Sequence, residues 1–183
     1  MILNRLNYRH NRLYEKALPP GLLGGQGTGA LKRYRYGLFS FGWCGCEIIA
    51  AYNLLQLYGA PQKLCDISRE IYPYGHLLCG FFGTNVYTLR HYFRRHGIPV
   101  KTVYTKADFL RLAPRSACGT ISFWTGRVMA SSIHTVTYRR ESDGSVSVFN
   151  RYNNTEKVYH FQSFEEAFGQ YAFLVANMIK AGK

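Results

Sequence analysis

Two kinds of side chain in this sequence can do covalent chemistry near neutral pH. They are the thiols of Cys44, Cys46, Cys65, Cys79 and Cys118, and six imidazoles. Cys46 stands out because it opens CEIIAAYNLLQLY (46–58), where Ile48, Tyr52 and Leu55 recur at helical spacing. A thiol at a helix start meets unpaired backbone N–H groups and the positive end of the helix dipole. Both favour the thiolate and make it a nucleophile. Gly45 before it leaves room for a substrate backbone. Cys44, two residues earlier, is the competing nucleophile and gains less from the dipole. Glu47 opposes a thiolate at Cys46 by its charge. A buried structural cysteine is the plainer reading of the same pattern.

A thiolate needs a base to take and return protons, and the base needs an orienting partner. His10, His76, His91, His96 and His160 lie in basic, solvated or loop contexts. His134 instead opens HTVTY (134–138), whose alternation predicts a half-buried strand with the ring at its end. A turn at Ser142, Asp143 and Gly144 sends the chain back along VSVFN (146–150). A hairpin of that form brings Asn150 beside His134, where its amide oxygen can accept the imidazole N–H and fix the tautomer. Asn153 is a second candidate for that role. A hydrogen-bonded core histidine is the structural reading of His134.

These residues need elements to hold them. A second helix is expected over about 62–71, and a third over 85–96 with Thr84 as its N-cap and Gly97 as its stop. Strands are expected at 100–104, 118–124, 134–138, 146–149 and 173–178. A short helix is expected at 106–112, and a capping box at Ser163 starts another. Helices first and an antiparallel sheet afterwards is an α+β layout. Residues 1–37 read as a basic, Tyr-rich arm ending in the Gly-rich run GLLGGQGTG (21–29), and residues 38–183 as the folded domain.

The order of a Cys at a helix start, a His opening a strand and an Asn closing the next strand resembles the papain-like cysteine peptidases. Within them it is most similar to the bacteriocin-processing peptidases that cut after double-glycine leaders. Ala50 falls at that family's small helix position, Gly59 at its closing Gly, and HTVTY…DGSVSVFN (134–150) along its His and turn-Gly segment. The resemblance spans about 38–180. It implies a papain-like fold, a peptide or protein substrate, no cofactor, and a triad of Cys46 as nucleophile, His134 as base and Asn150 as orienter. It also implies an oxyanion hole from the Cys46 backbone N–H and the residue about six positions earlier. There the family has Gln and this chain has Ser40; the family's Gly-Pro after its Cys is Glu47–Ile48 here. Alignment on Cys44–Gly45 recovers the family's Cys-Gly but loses the match at Ala50 and Gly59. Leu22, Leu23, Gly24 and Gly25 resemble a double-glycine site, against the plainer reading of a flexible linker. Trp43 is a candidate wall of the cleft.

Composition bounds the rest. The 183 residues suit one domain that buries about 70% of its unfolded surface without disulfides. Arg5, Arg9 and Arg12 stand where a signal peptide needs its apolar stretch, so a cytoplasmic protein with reduced thiols and no membrane span is the expectation. Lys and Arg number 23 against 10 Asp and Glu, a net +13 that attracts anionic partners, nucleic acid among them. The basic residues cluster locally at Lys32–Arg33–Arg35, Arg94–Arg95 and Arg139–Arg140. A zinc site on Cys44 and Cys46 lacks a second close pair, so no metal is expected. Two other classes compete with the peptidase: a catalytically impaired pseudoenzyme that keeps the fold, and a basic binding module.

Overall fold

All ten positions from Cys46 to Leu55 are buried in the helix Cys46–Tyr58. A helix that is apolar on every side belongs in the middle of a molecule rather than on its surface. Gly59 ends it in the left-handed conformation at φ +84°, and the Ala60 N–H reaches back to the Leu55 carbonyl. In a computed structural model describing residues 2–81, 83–126 and 132–181, this helix is α3. The other helices are α1 (Ile2–Arg12), α2 (Phe41–Cys44), α4 (Leu64–Gly75), α5 (Thr88–Arg95), α6 (Lys106–Leu112) and α7 (Phe164–Phe168).

The two-residue strands β1 (Arg35–Tyr36) and β2 (Phe39–Ser40) pair with each other. The main sheet has β3 (Val100–Val103), β4 (Ser116–Trp124), β5 (Ile133–Arg140), β6 (Val146–Phe149), β7 (Tyr159–Phe161) and β8 (Ala172–Lys180). Its order is β3-β8-β4-β5-β6-β7 and every pair is antiparallel. The fold is therefore α+β, with both sheet faces covered. Ile121, Phe123, Val136, Tyr138 and Val148 pack against Phe109 of α6 and Phe164 and Phe168 of α7. The opposite face is polar where it meets α3: the Thr137 hydroxyl donates to the Ala50 carbonyl at 3.2 Å, and Ser122 and Thr135 share a hydrogen bond at 2.8 Å.

The boundaries of α3, α6 and β6 agree with those read from sequence, and the Ser163 hydroxyl caps α7 by accepting from the Glu166 N–H. The third helix begins at Thr88 rather than just after Thr84, because Thr84 bridges His76 instead of capping.

Residues 1–37 are not a detached arm. Arg69 of α4 lays its guanidinium 4.2 Å from the Tyr8 ring of α1, and the Asn4 amide donates to the Arg69 carbonyl. Leu23, Leu31, Tyr34 and Tyr36 lie in the core beside α3. Asn11 clasps both the N–H and the carbonyl of Arg35, and Asn53 of α3 clasps both those of Leu23, at 2.7 and 2.8 Å. Past Leu23 the glycines are packed rather than loose. A side chain at Gly25 would come within 2.8 Å of the Thr155 backbone, and one at Gly27 would strike Asn153. Glycine is used here for close approach, not for flexibility.

Asn53→Ala leaves the Leu23 N–H and carbonyl buried without partners. A loss of about 3 kcal/mol is expected in urea unfolding at pH 7; a change under 1 kcal/mol would mean that water satisfies the segment.

Candidate functional site

The start of α3 lies against the beginning of β5. The Cys46 thiol donates to Glu47 Oε2 at 3.0 Å, and the Thr135 hydroxyl donates to Glu47 Oε1 at 3.1 Å while sharing its other bond with Ser122. Cys46 and Glu47 are both buried, at 6% and 2% exposure. Burial pushes the Cys46 thiol well above its ordinary range and the Glu47 charge adds to that, against a main-chain hydrogen bond from Thr135. The lowering expected from the helix dipole is thus outweighed by desolvation. Burial also pushes the Glu47 carboxyl up to about 7, opposed by its hydrogen bonds with Cys46, its own backbone and Thr135.

His134 is next to Thr135 in the chain but on the other face of the sheet. It stands opposite Phe123, with the two rings edge to face at 6.2 Å, on the side carrying Val136 and Tyr138. Its Nε2 is 2.7 Å from the main-chain carbonyl of Asn150, to which it donates. Burial lowers the imidazole pKa, with the main chain of Asn150 and Arg151 opposing the effect and the nearby Arg151 charge adding to it.

Asn150 does neighbour His134, but through its backbone. The hairpin pairs Thr137 with Phe149; continued by one residue, that register sets position 150 across from Val136, short of His134. The chain then leaves the sheet, with Asn150 in the left-handed region at φ +57°, which Asn tolerates better than most residues. Its side chain turns away to Gln26: Oδ1 accepts from the Gln26 N–H and Nδ2 donates to Gln26 Oε1, both at 3.1 Å. The expected amide-to-imidazole bond is replaced by a carbonyl-to-imidazole bond.

The remaining candidates have structural partners. Cys44 is buried and donates to the Tyr36 and Ser40 carbonyls, and burial raises its thiol to about 12. The space beside Gly45 is filled by the Phe41 ring rather than left open. Ser40 stands at the N-cap of α2 without a side-chain capping bond. Trp43 is 62% exposed, donates to the Phe81 carbonyl and stacks on Phe39. Asn153 donates to the Gly42 carbonyl at 2.6 Å, and the Gln26 amide reaches the same oxygen at 3.3 Å. Residues 23–28 therefore run as a strap between α2, just before Cys46, and the loop after β6. The Leu22–Gly25 motif lies at the start of this strap, and its glycines are not a loose linker.

Two segments remote in sequence thus meet β5 from its two sides: 46–47 at Thr135 on the α3 face, and the Asn150 backbone at His134 on the other. Their side chains are paired as thiol to carboxylate and imidazole to carbonyl. Among the described residues, no group of three or more His, Cys, Asp or Glu could hold a metal ion, and no helix is long and apolar enough to cross a membrane. No protein-family model and no curated protein matches the chain.

Thr135, Gln26 and Asn53 were not among the residues picked out, and Glu47 counted only as an obstacle. The signal for Glu47 was present: a carboxylate inside an otherwise apolar helix must be buried and must find partners.

Glu47 gives the protein a pH signature. Its pKa is higher folded than unfolded, so its contribution is full below about 4.5 and is lost as pH rises to about 7. Glu47→Gln removes this dependence. Between pH 4.5 and 8 its stability relative to wild type is expected to shift in its favour by on the order of 3 kcal/mol, measured as denaturation midpoints at each pH. A flat difference would mean that Glu47 is ionised throughout.

Proposed function

We propose that this chain is a thiol-dependent acyl-transfer enzyme of the papain-like cysteine-peptidase kind, held closed in the arrangement described. What supports this reading is that Cys46, at the start of α3, lies against β5 through Glu47 and Thr135, while His134, the preceding residue of that strand, is bonded to the Asn150 carbonyl on the opposite face of the sheet. In catalysis the Cys46 thiolate attacks a peptide carbonyl to form the acyl enzyme. His134 delivers a proton to the leaving amine, and a water deprotonated by the same ring then releases the acid. For this the start of β5 has to turn so that the imidazole leaves the Asn150 carbonyl and crosses to the α3 face, where it takes the proton that the Cys46 thiol now directs to Glu47. The Cys46 backbone N–H and Ser40 are the proposed oxyanion donors. Ser40 is the weaker choice, since losing a donor of this kind costs on the order of a hundredfold in rate.

A second reading rests on the bond between the Cys46 thiol and Glu47. A thiol so buried and so held is inert. On that reading the chain is a catalytically silent domain whose charge serves an anionic partner.

Iodoacetamide labelling of the native protein from pH 5 to 8, resolved by peptide mass mapping, separates the two. Cys79, which is exposed, supplies the solvent-accessible reference. The enzyme reading expects Cys46 to label at least tenfold faster than buried Cys44, Cys65 and Cys118, with a pH inflection that His134→Ala abolishes. Labelling of Cys46 only after denaturation, in wild type and His134→Ala alike, would leave the silent domain.

A further inference from the structure

The sequence cluster Lys32–Arg33–Arg35 is not used by the site above, and the fold gives it a definite shape. Together with His10, Tyr14 and Gly29 it lines an open cavity of about 430 Å³. That volume lies in the range of small-molecule sites. A 3-10 turn over Leu31–Arg33 buries Leu31 and leaves Lys32 and Arg33 exposed, and the extended backbone that follows sends Tyr34 and Tyr36 into the core while Arg35 faces out.

The backbone that carries them is pinned. His10 Nε2 donates to the Arg33 carbonyl at 2.8 Å, and Asn11 clasps Arg35 at both its N–H and its carbonyl. Arg33 also rests its guanidinium 5.6 Å from the Tyr14 ring. The cationic groups are therefore presented from a fixed frame rather than from a loose loop.

Lys32, Arg33 and Arg35 make no ion pair with a carboxylate among the described residues. Glu15, one residue beyond the cavity-lining Tyr14, is turned inward, accepting from the Tyr34 hydroxyl at 2.7 Å and from the Leu64 and Cys65 N–H groups at 2.8 and 3.0 Å. Three cations crowded without a counter-ion repel one another, and a bound anion relieves that cost. Two guanidinium forks and an ammonium complement a doubly charged, multi-oxygen group.

We propose that this cavity is a binding site for a phosphate monoester dianion, with the organic part of the ligand lying toward Tyr14. The proposal is independent of the peptidase reading and needs no thiol.

Isothermal titration at pH 7.5 and low salt, with inorganic phosphate, AMP and an unphosphorylated dinucleotide diester as probes, tests it. Saturable one-to-one binding of AMP is expected, tighter than phosphate and at least tenfold tighter than the diester, and weakening as salt rises. Arg33→Ala and Arg35→Ala are each expected to loosen AMP tenfold or more, and Arg35→Lys less than Arg35→Ala. A Lys157→Ala/Lys180→Ala double variant, which removes two charges on other elements, is expected to leave AMP affinity within twofold. Circular dichroism of each variant confirms that it is folded. The proposal fails if AMP does not saturate by millimolar concentration. It fails equally if the control variant loses as much affinity as the arginine variants, which would make the effect one of net charge. Equal affinity for the diester would point instead to a nucleic-acid backbone and overturn the monoester assignment.

Discussion

The Glu47 carboxyl, buried between α3 and β5, is the contact on which the arrangement at this junction depends. It takes the Cys46 thiol on one oxygen and the Thr135 hydroxyl on the other. Helix-on-sheet packing is ordinarily apolar and can slide, whereas directional bonds from a buried carboxyl fix the register of α3 along β5. The same bonds decide what the thiol can do, since burial with a carboxyl neighbour suppresses the very thiolate that a helix start would otherwise favour. Position and reactivity are set by one group, and they pull in opposite directions.

Much of the fold is written locally. The 46–58 helix carries its apolar periodicity and its closing Gly59, the 106–112 helix its Thr105 cap, and the 146–149 strand its alternation and turn. The N-terminal third was not legible in the same way. Its helix buries Asn7 and Asn11, polar residues that read as surface but serve to hold backbone groups of Gly37 and Arg35. Its glycines read as a linker because the sequence does not reveal that Asn153, Thr155 and Glu156 will press against them.

What was legible around β5 was which segments adjoin it, and not which side chains face one another. Cys46, His134 and Asn150 come from separate elements that adjoin at β5, with Cys46 on the α3 face and the His134 ring on the other. Which atoms touch depends on strand parity and on a hairpin register that runs two residues short. Parity was in fact readable: in HTVTY the ring shares its side with Val136 and Tyr138, and the threonines take the other. The excess of basic residues, visible from composition, acquires meaning only when the acidic ones are placed. Glu15 and Glu47 are spent on the interior, so the outside of the molecule is more cationic than the ratio of residue types conveys.

The strand order has a consequence for how the molecule behaves in company. The eight- and nine-residue strands β4, β5 and β8 are all internal, and the rims are β3 and β7, of four and three residues. Unpaired rims are where one sheet recruits another, and brevity leaves little ladder on which to grow. A chain so rich in Tyr and Phe is thereby kept from stacking edge to edge, and encounters between copies are left to its like-charged outer surface.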